Sequence, residues 1–417
     1  MKKVRVHYKG WGEDWPLGTL ADDGQSLLFE YSDAALAQGL ELSPRHLPLQ
    51  RAAFGGFPAH LLRLPGLIAD ALPDGWGMLL MDRLFRKQGV NPAQCSPLDR
   101  LSFIGQRGMG ALTFEPATQQ DSLAESIDLH ELAHQSALIY SGQESEALLQ
   151  MALLGGSPQG ARPKVLVYYD KATARISSAP FEAGSAWLVK FQAPGESPEV
   201  CAIEAIYAQW AQMCGLEVPE THYFDLGPHA AAFGIARFDV SGPLRVPVHS
   251  LAGLLHADFR IPSAVDYTTL LRATRLITQD EREVQKAFER AVFNVLTHNR
   301  DDHPKNFAYR LDAQRQWHLA PCFDLTFSEG PGGEHQMDLC GEHQMDLCGE
   351  GKTIRRQHWV MLAQQGGLDS RWASRRVDEM LQAVDLWPDS ARGFDLRATT
   401  RQQLLQTIAR QRDQLMH

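Results

Sequence analysis

Asp301 and Asn306 stand five positions apart in Thr297-His-Asn-Arg-Asp-Asp-His-Pro-Lys-Asn306, where an apolar helix end (Phe293 to Leu296) runs into a polar loop. Asp-x-x-x-x-Asn is the spacing that phosphoryl transfer from ATP requires. The aspartate orients or deprotonates an attacking hydroxyl, and the asparagine oxygen holds a Mg2+ on the phosphates. Eighteen residues past Asn306 comes Asp324, a lone acid at the end of the apolar stretch Ala320-Pro-Cys-Phe. It stands where the aspartate of a DFG motif would be, as a second ligand of a hard cation that favours oxygen donors. Each piece alone also reads as ordinary structure, Asp-Asp-His as a solvated turn and Asp324 as a turn cap. Their order along one chain, behind a β-rich half with nucleotide signals of its own, favours phosphoryl transfer.

Those signals lie upstream. Gly155-Gly-Ser-Pro-Gln-Gly160-Ala-Arg-Pro-Lys164 precedes the strand-like Val165-Leu-Val-Tyr168. Its glycines permit a tight turn whose backbone N–H groups approach phosphates. It is not a Walker A loop, because Ala161-Arg162 follows Gly160 where Lys-Ser/Thr is required, and it also departs from GxGxxG. Lys190 sits inside the apolar strand Trp187-Leu-Val-Lys-Phe191. A lysine there either grips α/β-phosphates or lies at a strand edge facing water; buried, it needs a partner. A helix follows, with Ser197 as N-cap, Pro198 at its first position and Gly215 as its stop. Its apolar face is Val200, Ile203, Tyr207, Trp210 and Cys214. Glu204 inside it is placed to pair with Lys190. Glu199 competes, although a carboxylate in the first turn is also explained by the helix dipole.

The elements that must position these groups are legible more coarsely. The chain has 417 residues, 44% of them hydrophobic and 22% charged, so it is globular and long enough for two or three folding units. The first hundred residues read as β-rich, then helical: Val4 to Tyr8 and Ser26 to Tyr31 as strands, then Leu64 to Phe85 as helix split near Pro73-Asp74-Gly75. Pro116 to Ser126 reads as a linker, Ile127 to Leu154 as helix, and Gly155 to Val240 as mostly strand. Beyond about Asp266 the pattern is helical except around 305–330. A β-rich segment before an α-rich one predicts a two-lobed α+β molecule with its site in the cleft.

Net charge is −10, which argues against broad contact with nucleic-acid phosphates. No apolar run is long enough to span a membrane, and the start lacks the apolar core of a secretory signal. Six scattered cysteines without a CxxC pair read as reduced thiols, which fits a cytoplasmic protein. Gly333-Glu-His-Gln-Met-Asp-Leu-Cys340 is repeated at once as 341–348. The two histidines and two cysteines it contains invite a metal reading, but a slipped duplication in a tolerant loop explains them with fewer assumptions.

Taken together the motifs resemble the HipA family, the serine/threonine kinase toxins of bacterial toxin–antitoxin pairs. The matching stretches are Gly156-Ser-Pro-Gln-Gly-Ala-Arg-Pro-Lys164, Trp187-Leu-Val-Lys190, Ala236-Arg-Phe-Asp239, Asn299-Arg-Asp-Asp-His-Pro-Lys-Asn306, Ala320-Pro-Cys-Phe-Asp324 and Leu64-Pro-Gly-Leu-Ile-Ala-Asp-Ala-Leu-Pro-Asp-Gly-Trp-Gly77. The resemblance implies a two-lobed protein-kinase-like fold with a β-rich N-terminal subdomain at 1–125, an N-lobe with the Gly-rich loop at 126–239, and a mostly helical C-lobe at 240–417. It implies Asp301 as catalytic base, Lys190 as phosphate lysine, and Asn306 and Asp324 as Mg2+ ligands. ATP would also meet Gly156, Ser157, Gly160, Lys164, His303 and Lys305, with Ala236 to Phe238 as the hinge beside adenine. Ser157 takes the place of a serine whose autophosphorylation ejects the loop and silences the kinase. Family partners are a helix-turn-helix HipB-like antitoxin, through which DNA is reached indirectly, and protein targets that include aminoacyl-tRNA synthetases. The duplicated loop after Asp324 departs from the pattern and bears on substrate identity. Two other readings stay open: a small-molecule phosphotransferase, and a non-catalytic nucleotide-binding regulator paired with an antitoxin.

Overall fold

The computed structural model describes residues 1–118, 127–155, 158–328, 345, 347–348 and 354–416. Most of the linker read at 116–126, Gly156 and Ser157 of the Gly-rich turn, and nearly all of the duplicated loop lie outside the described residues.

The first unit is an antiparallel sheet of β1 (Lys2–Tyr8), β2 (Trp15–Asp22), β3 (Leu27–Tyr31), β4 (Ala53–Phe54) and β5 (Leu112–Glu115), in the order β4-β3-β2-β1-β5. Period-two patterning drives it: Val4, Val6 and Tyr8 of β1 and Leu27, Phe29 and Tyr31 of β3 face the core, with Arg5 of β1 and Leu28 and Glu30 of β3 turned outward. Helices Gly75–Lys87 and Pro97–Ile104 complete the unit. The second helix starts on a capping box, in which Ser96 Oγ accepts from the Asp99 N–H and Asp99 accepts from the Ser96 N–H.

A second five-stranded antiparallel sheet contains β6 (Lys164–Asp170), β7 (Arg175–Ser177), β8 (Ser185–Phe191), β9 (Thr221–Asp225) and β10 (Ala231–Ala236), in the order β7-β6-β8-β10-β9. The helix Glu199–Met213 packs on β9 and β10. It is buried almost all round. Tyr207 and Trp210 face the helical lobe, while Cys201, Ala205 and Ala208 lie on Phe233 and Ile235 of the sheet. The apolar face read from sequence is therefore one of two, and Glu204 belongs to the other.

After the short hairpin β11 (Val240–Ser241) and β12 (Leu244–Arg245) the chain becomes mainly helical, with Tyr267–Thr278, Glu281–Leu296, Arg356–Gln365, Ser370–Ala383 and Ala398–Met416. One small sheet interrupts it: β13 (Val248–Ser250), β14 (Ala308–Leu311) and β15 (Trp317–Leu319). β14 follows the Asp301–Asn306 loop directly and so fixes where that loop ends.

The first unit is joined tightly to the rest. A methyl added to Gly66 would lie 2.6 Å from the Gly253 carbonyl carbon, so the two short helices 66–69 and 251–255 touch backbone to backbone. Asp70 accepts from His249 Nδ1 at 2.7 Å and from both the backbone N–H (2.8 Å) and the hydroxyl (2.7 Å) of Ser250. Arg245 donates to the carbonyls of Gln106 and Gly110, both at 2.7 Å, and the Gly110 N–H donates to buried Asp239 at 2.8 Å. No helix among the described residues is long and apolar enough to cross a membrane.

Gly75 is where this junction has no slack. Its φ is +40°, and an added methyl would sit 2.7 Å from Ala161 Cα and 2.8 Å from the Gly160 carbonyl oxygen. Both are backbone atoms that no rotamer change can move. Gly75→Ala is expected to lower stability by about 1–3 kcal/mol through backbone strain alone. A thermal melt of the variant unchanged from wild type would contradict this.

Candidate active site

Lys190 is central to the cleft. It stands on β8 opposite Lys164 of β6 and Phe233 of β10. Its ammonium donates to Glu204 Oε1 and, at 2.7 Å, to Asp324 Oδ1. Burial alone would lower its pKa, but Asp324 and then Glu204 raise it well above the ordinary lysine value. Asp324 shifts the other way: burial opposes its charge, yet Lys190 and Lys164 hold it far below the usual carboxylate range. Glu204 is pushed up by burial, which Lys190 and Arg162 oppose and the negative charge of Asp324 adds to. Of the two carboxylates in competition, Glu204 is therefore the one beside Lys190. Glu199 faces the other way and accepts from Arg397 Nε at 2.6 Å and Thr400 Oγ1 at 3.0 Å.

Lys164 faces Lys190 across the strands, an arrangement that like charges oppose. Burial and then Lys190 bring its pKa down to about 8, and its ammonium donates to the Gln159 carbonyl. Arg162 is taken up by Glu196, with Nη2 at 3.2 Å, and lies 3.9 Å from Glu204. Gly160 has φ +101°, a left-handed conformation that suits glycine, and this turns the loop back onto residues 74–76.

The Asp301–Asn306 loop is tied down from inside. The Asn306 carboxamide donates to the Asp301 carbonyl at 2.7 Å, which gives the five-residue spacing a mechanical reason. Beneath it the neighbouring Asp302 is buried and accepts from Tyr267 Oη at 2.5 Å, while Asn294 Nδ2 donates to that hydroxyl at 3.2 Å. Asn299 then donates to Asn294 Oδ1 at 3.0 Å. Asp301 itself opens onto the cleft with His303 Nε2 3.8 Å away. Enclosure by the two lobes raises its pKa, His303 opposes the rise, and the negative charges of Asp324 and Asp302 add to it.

These groups line one cavity of about 720 Å³. Gly160, Lys164, Lys190, Asp301, His303, Lys305, Asn306 and Asp324 all border it, as do Ala236 and Phe238. Phe238 lies 5.3 Å from Phe323, ring to ring. Lys305, read as a nucleotide cation, is already paired: its ammonium is 2.7 Å from Asp74 and 4.3 Å from the Phe259 ring centroid. Tyr267, Asn294, Phe259 and Asp74 escaped sequence reasoning. Only Asp74 left a trace there, as part of the Pro-Asp-Gly break between two helices.

The donor set suits a hard divalent cation. Since the Asn306 N–H is engaged by Asp301, its amide oxygen is the end left to accept, and Asp324 is a carboxylate kept ionised by its lysines. Asp324 also has φ +56°, a strained conformation for a non-glycine residue. It turns the carboxylate into the cleft beside Lys190.

A five-stranded sheet with one helix, set over a helical lobe with an acid, an amide and a lysine in the cleft between, is a two-lobed kinase-like α+β architecture. The family model for the HipA-like C-terminal domain matches residues 156–387, and that for the HipA N-terminal domain matches residues 9–115. The chain belongs to the HipA family. Its structure is similar to HipA of Shewanella oneidensis MR-1, solved in a complex with HipB and operator DNA. The TM-score is 0.69 at 18% identity, over 99% of this chain and 95% of that one. The Helicobacter pylori proinflammatory kinase CtkA aligns with 56% of this chain and 89% of its own, at 13% identity and a TM-score of 0.38. No curated protein matches the sequence.

Proposed function

We propose that this protein is a Mg2+- and ATP-dependent serine/threonine protein kinase of HipA toxin type. The observation that carries the proposal is Lys190, which joins Glu204 and Asp324 in a cleft that Asp301 and Asn306 also line. Lys190 and Lys164 would bind the phosphates, the glycine-rich turn would cover them, and Ala236 to Phe238 would border adenine. Asn306 and Asp324 would hold Mg2+, which when bound neutralises negative charge on the phosphate oxygens. Asp301 accepts the proton of the attacking hydroxyl, and the burial that raises its pKa above the ordinary aspartate value makes it a stronger proton acceptor.

The likeness to a HipA that was solved with HipB and operator DNA supports a helix-turn-helix HipB-like antitoxin as partner. A net charge of −10 supports DNA contact through that partner rather than directly. The phosphorylated target is a protein, with an aminoacyl-tRNA synthetase as first candidate from the family resemblance, and the site of action is the cytoplasm. Ser157 is proposed as an inhibitory autophosphorylation site, because a dianionic phosphate on a loop that cradles phosphates is repelled.

Incubation with labelled ATP and Mg2+, wild type beside Asp301→Ala, tests the reading. Self-labelling that the variant loses supports a protein kinase. Label found only on added small molecules favours a small-molecule phosphotransferase, and none anywhere favours a nucleotide-binding regulator. Mass spectrometry of the ATP-treated wild type is expected to place phosphate on Ser157. A labelled protein with that serine unmodified would remove the autoinhibitory part and leave the kinase.

A further inference from the structure

Asp74 lies in the first unit, at the turn between helices 66–69 and 75–87, yet its two oxygens serve the two lobes of the cleft. Oδ1 accepts from the backbone N–H of Gly160, in the glycine-rich turn. Oδ2 accepts from the ammonium of Lys305 at 2.7 Å, in the Asp301–Asn306 loop. Both side chains are largely enclosed, at 16% and 14% exposure, so the pair is little screened by water. Burial by itself would raise the Asp74 pKa, but Lys305 and the Gly160 N–H overcome it and keep the carboxylate ionised.

The contact does not stand alone. The Trp76 N–H donates to the Gly160 carbonyl at 3.1 Å, and its indole N–H to the Lys164 carbonyl at 3.0 Å. Gln159 Nε2 donates in turn to the Asp70 carbonyl at 3.2 Å. On the other side, Lys305 is the residue before Asn306, whose side chain is tied to the Asp301 carbonyl. A short series of bonds thus runs from the glycine-rich turn through Asp74 and Lys305 to the proposed metal ligand and the proposed base.

We propose that Asp74 is a positioning residue, through which the N-terminal subdomain sets the glycine-rich turn and the Asp301–Asn306 loop at a fixed separation. The subdomain is then a working part of the phosphotransfer site and not an appendage. The proposal rests on the kinase reading in one respect: its first measurement is phosphoryl transfer. Lys305 acts through Asn306 and Asp301 rather than on a phosphate, because its charge is already neutralised. A displaced loop leaves nucleotide contacts to Lys164 and Lys190 intact but spoils the alignment of base and hydroxyl. The loss therefore falls on turnover more than on nucleotide affinity.

Full-length wild type, Asp74→Asn, Lys305→Gln and the double variant are compared in self-phosphorylation at saturating Mg-ATP. Each single variant is expected to lose about 10- to 100-fold in turnover, with the KM for ATP changing less than about threefold, as for a misplacement of around an ångström. The double variant should be no worse than the single ones, because both remove the same link. Unchanged turnover, a loss carried wholly by KM, or losses that multiply in the double variant would each overturn the proposal. A second measurement needs no catalysis. Amide hydrogen exchange in Asp74→Asn should quicken both at 159–161 and at 302–306, and protection retained at 302–306 overturns the link. If wild type transfers no phosphate the kinase reading fails, and exchange still decides the link. If Asp74→Asn does not fold, Lys305→Gln carries both measurements from the opposite side.

Discussion

Asp301→Asn is expected to remain folded while its phosphotransfer rate drops by about 10²- to 10⁴-fold, the range a positioned general base supplies. Folding should survive because the loop is held by its neighbours, Asp302 on Tyr267 and the Asn306 amide on the backbone carbonyl of residue 301. None of these bonds uses the Asp301 carboxylate. The pH profile tells a base from a mere spacer. Enclosure raises the carboxyl's pKa above the ordinary aspartate value, so its basic form is present above that raised pKa and is lost as pH falls through it. Wild-type activity should fade on the acid side at a higher pH than a free aspartate would give, and Asp301→Asn should lack this limb. Single-turnover rates across a pH series read both quantities. A variant that keeps the wild-type acid limb would assign the proton to another group.

Lys190→Met should abolish labelling and also destabilise the fold, by about 3–5 kcal/mol, the cost of leaving buried charge without its partner. Glu204 and Asp324 both lean on that one ammonium, and Lys190 is only 7% exposed. Arg162, 3.9 Å from Glu204, compensates in part and puts the expected loss toward the lower end. The sign of the pH dependence follows from Glu204. Without Lys190, burial raises its folded pKa further, so its charge costs stability above that pKa and nothing once it is protonated in both states. The gap between wild type and variant should therefore narrow on acidification. Urea midpoints of the two proteins at several pH values measure it, and a gap that stayed constant would mean that Glu204 bears none of the cost.

Legibility in the sequence followed distance along the chain. Asp301 and Asn306 were readable because five residues of loop carry both members of the pair and the bond that joins them. The lysine of β8 and the helix after it were readable from an apolar strand and from Ser197-Pro198, with the helix starting one residue later, at Glu199. Pairings across long separations were not. Asp74 meets Lys305 across 231 residues, and no local pattern announces that an aspartate in a helix break will neutralise a cation of the Asp301–Asn306 loop. Glu199 shows the same limit, since a first-turn carboxylate is explained by the helix dipole alone, yet its partner is Arg397, 198 residues on. The apolar face of helix 199–213 was read one-sidedly because alanines and a cysteine carry little periodic signal, although they form its second packed surface.

The pairing of β1 with β5 sets an order of events during synthesis. Those are the first and last strands of their sheet, so every strand of the sheet is available once Glu115 has left the ribosome. Lys164, which begins β6, follows about 50 residues later, roughly 2–10 s at ordinary elongation rates. The unit that carries Asp70 and Asp74 thus has time to form before any strand of the second sheet leaves the ribosome. The glycine-rich turn and the Asp301–Asn306 loop then emerge in sequence onto a surface already made, which acts as a template for the cleft they close.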